Sequence, residues 1–236
     1  MIDSPANQVT FKRNQMESAL WQCLTDGGNE NIQPSRRFQT RTKRLIDLDR
    51  VSPLDDGSDK LPPAYAFIDS PPQGKGTETS FTSFNGFMLG IGLDLLDCGY
   101  KQSEIVFLLR HIRPGLEKVY HEILRTPPSP RQKVLAKHHP GHPSYLENGT
   151  RYADLRVYLL IERVELSNVY TQPKNPTPAH PEIPAPVVCY GITQLHDELH
   201  KMNYDYRKVL VMEIAEMAVL LLDALQNTPP IHRGGK

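Results

Sequence analysis

The stretch GKGTETSFTSFNGFMLGIGLDLLDCGYKQSEIVFLL, residues 74–109, decides how this chain is read. Its centre runs from Phe84 to Leu96 and is apolar except for Asn85, Asp94 and the glycines. Thr82 and Ser83 precede it as N-cap residues, whose hydroxyls can accept from the open amides of a first turn. Gly99 follows as a stop, because glycine enters the left-handed region freely. The pattern predicts a helix over 82–98. A second helix begins near Gln102 and carries Ile105, Leu108, Leu109 and Ile112 at helical spacing. Pro114 bends or restarts it, and the pattern resumes through Leu116, Val119, Tyr120, Ile123 and Leu124. Gly86, Gly90 and Gly92 each cost a helix interior ~1 kcal/mol relative to alanine. They are read as points where a neighbouring element comes close. Upstream, Gln73-Gly74-Lys75-Gly76 is a turn between two expected short strands, 64–68 and 78–81, which together make a hairpin.

Working toward the N-terminus, residues 14–25 and 35–50 read as two helices separated by a Gly/Asn/Pro turn. The second helix is basic. Arg36, Arg37, Arg41, Lys43, Arg44 and Arg50 stand against Asp47 and Asp49. Arg37, Arg41 and Arg44 share one face, and Phe38, Leu45 and Leu48 point the other way. Arginine suits phosphate oxygens and the guanine edge because its planar fork donates two parallel hydrogen bonds. Gln39 and Thr40 add neutral donors, and Lys101 and Arg110 can add phosphate contacts.

The 74–109 stretch resembles the second half of MerR-like winged-helix DNA-binding proteins. Gly74-Lys75-Gly76 stands at the wing tip, and Phe81-Thr82 is the aromatic residue plus cap. Leu89, Leu95 and Cys98 take the apolar helix positions, and Gly99-Tyr100-Lys101-Gln102-Ser103-Glu104-Ile105 is the step into the next helix. The spacing from Phe81 through Ile105 matches without a gap. Lys101 replaces the usual small cap residue, and no long coiled coil follows. The resemblance implies a transcriptional regulator that reads double-stranded DNA. The 35–50 helix would enter the major groove, with Lys75 on the flanking backbone.

Beyond residue 126 a proline-rich linker covers 127–150. The rest, 151–236, reads as a ββαα part with strands near 155–164 and 186–190 and helices over 193–202 and 206–226. The last helix is apolar on nearly all sides, so it needs cover on more than one of them. A homodimer through Leu210, Ile214, Met217 and Leu221 is therefore expected. The expected class is α+β and mainly helical, with a winged helix-turn-helix-like domain over 1–126.

Composition bounds the function. In 236 residues, Lys+Arg and Asp+Glu are 27 each, so the net charge is zero and a whole-surface nucleic-acid coat is excluded. The N-terminus carries no apolar run, and no stretch of about 20 uninterrupted apolar residues suggests a membrane span. Three dispersed cysteines, Cys23, Cys98 and Cys189, read as buried free thiols of a reducing compartment, hence a cytoplasmic protein, nucleoid-associated if it binds DNA. No motif calls for a cofactor. Two other readings remain. One is a non-enzymatic protein-interaction module. The other is a metal-dependent hydrolase on His196 and His200, two imidazoles at i and i+4 of one helix. His138, His139 and His142 cluster in the linker.

Overall fold

The computed structural model describes residues 9–25, 33–51, 65–70, 79–125, 146–147, 150–151, 155–162, 186–201 and 209–229. The elements are α1 (Arg13–Leu24), α2 (Arg36–Val51), α3 (Ser83–Asp97), α4 (Gln102–Arg125), β1 (Leu146–Glu147), β2 (Thr150–Arg151), β3 (Val157–Glu162), β4 (Val187–Tyr190), α5 (Gly191–Lys201), β5 (Val209–Glu213) and α6 (Ala215–Asn227). The fold is α+β and mostly helical, with one three-stranded antiparallel sheet ordered β4-β3-β5 and a short β1–β2 pairing. It divides into two compact units. One comprises Met1–His121 together with Met217–Lys236, the other Glu122–Glu216. No helix among the described residues is long and apolar enough to cross a membrane.

The first unit is organised around α3. Thr82 Oγ1 accepts from Asn85 N at 3.2 Å and starts the helix. At the other end Gly99, at φ 83°, lets Tyr100 N reach Leu95 O and Gly99 N reach Leu96 O, both at 3.1 Å. These two bonds close a Schellman cap, with Tyr100 and Leu95 as its apolar pair. Nearly every residue from Phe84 to Leu95 is buried. The three glycines mark close approaches, as their cost required. A Cβ at Gly86 would stand 2.2 Å from Met16 Sδ of α1, and one at Gly90 would stand 2.7 Å from Met217 Sδ of α6. One at Gly92 would meet Phe67 and Leu109. Helix α4 runs unbroken through Pro114. Its first turn is capped from within, since Glu104 Oε2 accepts from Lys101 N at 3.1 Å. The acid three residues on thus does the work that the missing small cap residue would share.

The expected 64–68 strand does not form. Tyr65, Ala66, Phe67 and Ile68 are buried, but their backbone is engaged by side chains. The Asp49 carboxylate accepts from Ala66 N and Phe67 N, each at 2.9 Å, and Arg113 Nη1 donates to Ala66 O at 2.8 Å. With those groups satisfied, no second strand is needed. The returning partner is also reassigned. Phe81 exchanges backbone hydrogen bonds of 2.8 and 3.0 Å with Phe11, far upstream. The wing tip, including Lys75, lies outside the described residues.

In the second unit β3 is central. It pairs antiparallel with β4, Tyr158 opposite Cys189, and with β5, Leu159 opposite Met212. Helix α5 covers one face, where Tyr158, Leu160, Cys189 and Leu195 make the core and Val187, Ile192 and Val209 surround it. Here a second expectation is corrected. The 206–226 helix is two elements, strand β5 and helix α6. Val209 and Val211 suit an extended strand beside β3. Glu213 then sets the break: Oε1 accepts from Ala215 N at 3.1 Å and Oε2 from Glu216 N at 3.0 Å, holding the open amides of α6. The C-terminal order is ββαβα rather than ββαα.

Within one chain the four residues expected at a dimer interface are already largely covered. Ile214 and Leu221 are 0 % exposed and Met217 is 9 % exposed within one chain, while Leu210 sits half-buried on β5. Met217 and Leu221 close the core against Gly90 and Gly86. Leu221→Glu is therefore expected to unfold the first unit, because a buried unpaired carboxylate is not tolerated. Far-UV circular dichroism alongside size-exclusion chromatography checks this. A variant that kept its secondary structure and only halved its mass would restore the interface assignment.

Candidate nucleic-acid interface

Ser35 starts α2, with Phe38 N donating to Ser35 Oγ at 3.2 Å. Phe38, Leu45 and Ile46 are buried, which fixes the rotation of the helix and turns its basic face outward. Phe38 packs edge-on against Trp21, ring centroids 5.2 Å apart. Arg36, Arg37, Gln39, Thr40, Lys43 and Arg44 are all exposed, and Arg41 is half-buried. The first turn holds Arg36 and Arg37 and no acid. Cations at the positive end of a helix are unfavourable by about 0.3–1 kcal/mol each. An anion between them would offset that cost.

A groove of about 770 Å³ lies beside this face. Arg36, Arg37, Thr40, Arg41 and Arg44 line it from α2, and Leu96, Asp97 and Gln102 line it from the α3–α4 turn. The opening turn of α4 therefore faces the arginines, and its dipole adds to the same positive potential. Arg41 is braced there by Asp97, Nη2 to Oδ1 at 2.5 Å. Among the described residues no carboxylate stands within ion-pair distance of Arg36, Arg37 or Arg44. Thr40 Oγ1 donates to Arg36 O at 2.8 Å. Gln39 and Lys43 are exposed on α2 outside the groove lining. Lys101 stands exposed at the start of α4, 3.7 Å from Glu104.

Arg110 does not belong to this surface. Its side chain is 4 % exposed, and its Nε donates to Asp49 Oδ1 at 2.8 Å while Nη2 donates to Asp49 O at 2.6 Å. A phosphate cannot reach it. Of the cysteines, Cys189 is buried as expected, Cys23 is half-buried and Cys98 is exposed at the end of α3. Burial, then the nearby Asp223 charge, pushes the Cys23 thiol up to about 12, so it is unreactive.

Sequence reasoning missed Asp97, which lines the groove, and its neighbour Asp94. Asp94 and Asp97 sit one turn apart on α3. Burial first, and the Asp97 charge second, raise the Asp94 carboxyl from 3.8 to about 6. Their i, i+3 spacing ahead of Gly99 was the available signal. His196 and His200 lie together on α5, both exposed. Among the described residues no set of three His, Cys, Asp or Glu side chains gathers as a metal cluster. Comparison with protein-family models, curated proteins and solved structures gives no significant match.

Two outcomes follow. Arg110→Ala leaves the Asp49 carboxylate buried without its cation and is expected to cost about 3–5 kcal/mol, measured by urea denaturation. A cost near zero would show that the pair carries no stability. For Asp94, the folded chain holds a proton between about pH 4 and 6 that the unfolded chain has released. Its contribution is thus greatest below that window and is lost as pH rises through it. Asp94→Asn should raise the thermal midpoint at neutral pH and flatten its pH dependence. An equal shift at pH 4 and pH 7 would refute the raised value.

Proposed function

We propose that this protein binds double-stranded DNA as a regulator of transcription. The carrying observation is the convergence of Arg36, Arg37, Arg41 and Arg44 on the opening turn of α4. Helices α3 and α4 are joined by four residues, Cys98 to Lys101, with Gly99 at positive φ. A short glycine-containing turn between two helices is the frame of a helix-turn-helix, whose second helix offers its N-terminal residues to base edges. In this reading α4, rather than α2, enters the major groove, and the α2 arginines hold the flanking phosphates. Ser103 and His111 are exposed on the outer side of α4, and Phe107 is half-exposed between them, 4.4 Å from the His111 ring. An aromatic edge there suits a thymine methyl. The MerR-like resemblance over 74–109 supports double-stranded DNA as the partner, with Lys75 assigned to the backbone; that resemblance by itself would give the groove to α2.

The test is fluorescence anisotropy of a labelled duplex between about 50 and 200 mM salt. Arg36→Ala, Arg37→Ala and Arg44→Ala should each weaken binding on every sequence and lower the salt slope by about one. Ser103→Ala and Phe107→Ala should instead relax preference among sequences. Salt-independent affinity, or arginine variants that bind like wild type, would reject the reading.

A further inference from the structure

The histidine pair of α5 has a geometry that the DNA reading does not use. His196 Nε2 and His200 Nε2 lie 3.1 Å apart, with ring planes at 74° and centroids 4.3 Å apart. Two imidazole nitrogens on one metal at about 2.0–2.1 Å stand about 3.3–3.4 Å apart at the tetrahedral angle and about 2.9 Å at a right angle. The observed spacing falls between those limits. Two neutral lone pairs held at that distance repel unless a proton or a cation sits between them. The other nitrogen of His196, Nδ1, lies 3.9 Å from Asp197 Oδ1, beyond direct hydrogen-bond distance.

The backbone below the pair is fixed. Leu195 and Ile192 hold α5 on the sheet, Tyr190 N donates to Gln194 Oε1 at 2.6 Å, and Lys201 Nζ donates to Glu198 Oε1 at 2.6 Å on the neighbouring face. The two imidazoles thus meet with little further ordering. With 69 % of the His196 side chain exposed, the remaining coordination positions face solvent.

We propose that His196 and His200 form a chelating site for a divalent transition metal, such as Zn(II), Cu(II) or Ni(II), with its other positions left to water or an outside ligand. Imidazole nitrogen selects these ions over Mg(II) and Ca(II), which prefer oxygen. Both rings must be neutral to bind, so protons compete with the metal for the site.

The test is calorimetric titration of the full chain with Zn(II) near neutral pH, with Mg(II) as control. One equivalent of Zn(II) should bind, and His196→Ala or His200→Ala should each weaken it by about 10²-fold, because the second ligand no longer acts at high local concentration. Circular dichroism of these variants should be unchanged, since both side chains are exposed. The triple variant His138→Ala/His139→Ala/His142→Ala should titrate like wild type. Zinc binding that survives both α5 variants, that vanishes in the triple variant, or that is absent from the wild type overturns the site.

Discussion

The first unit depends on one buried carboxylate. Asp49 has no exposed surface, yet it sits on the apolar side of a basic helix. A lone charge there would be prohibitive. It is held by three donors, namely Arg110 Nε from α4 and the Ala66 and Phe67 amides, and Arg110 Nη2 also donates to its backbone carbonyl. One side chain thereby joins α2, α4 and the buried segment 65–68. Arg113, one turn further along α4, adds a parallel tie. It donates to Ala66 O, to the Asp69 carboxylate and to Asn85 Oδ1, and its guanidinium lies 5.0 Å over the Phe84 ring. Through Asn85 the tie reaches α3. Buried pairs of this kind add little net stability but penalise every arrangement that would separate them.

Much of this fold was legible because local signals agreed. Thr82, Gly99 and the apolar stripe between them each predicted α3, and its three glycines announced the close packing that the neighbours confirm. The basic face of α2 followed from Phe38 and Leu45. The failures have physical causes. Residues 64–68 have strand composition, but composition does not reveal that Asp49 supplies their hydrogen-bond partners. Asp49 itself was visible at four residues from Leu45, on the same side as Phe38. Taken as a counter-charge to the arginines, it hid the role of Arg110. Val209–Glu213 and α6 merged into one helix because an edge strand and a buried helix placed end to end look apolar all round. Glu213, an acid just before the last helical run, was the mark of the boundary.

At the candidate interface, the sequence of α2 departs from what helix chemistry favours. A helix gains from acids in its first turn, and α2 opens with two arginines instead. Gly99 orders the same site from the other side, because its left-handed cap sets the direction in which α4 leaves α3 and so aims Gln102 at those arginines. Local rules broken without a stabilising return are what a binding surface leaves in a sequence. None of the groove residues from the α3–α4 turn was legible beforehand, since their neighbours on α2 are more than fifty positions away along the chain.

The division of the chain into units has a consequence for how it is made. The first unit takes its core from two stretches, with Glu122–Glu216 threaded between them. Opposite Gly86 and Gly90, Met16 and Leu20 of α1 are joined by Leu221 and Met217 of α6, and those last two leave the ribosome only after the whole of the second unit. Until then α3, the most apolar of the described helices, lacks part of its cover. The nascent chain must keep that helix from self-association while about a hundred residues are synthesised. In the order of synthesis, every strand of the β4-β3-β5 sheet is made before the last segment of the unit that surrounds it in sequence exists.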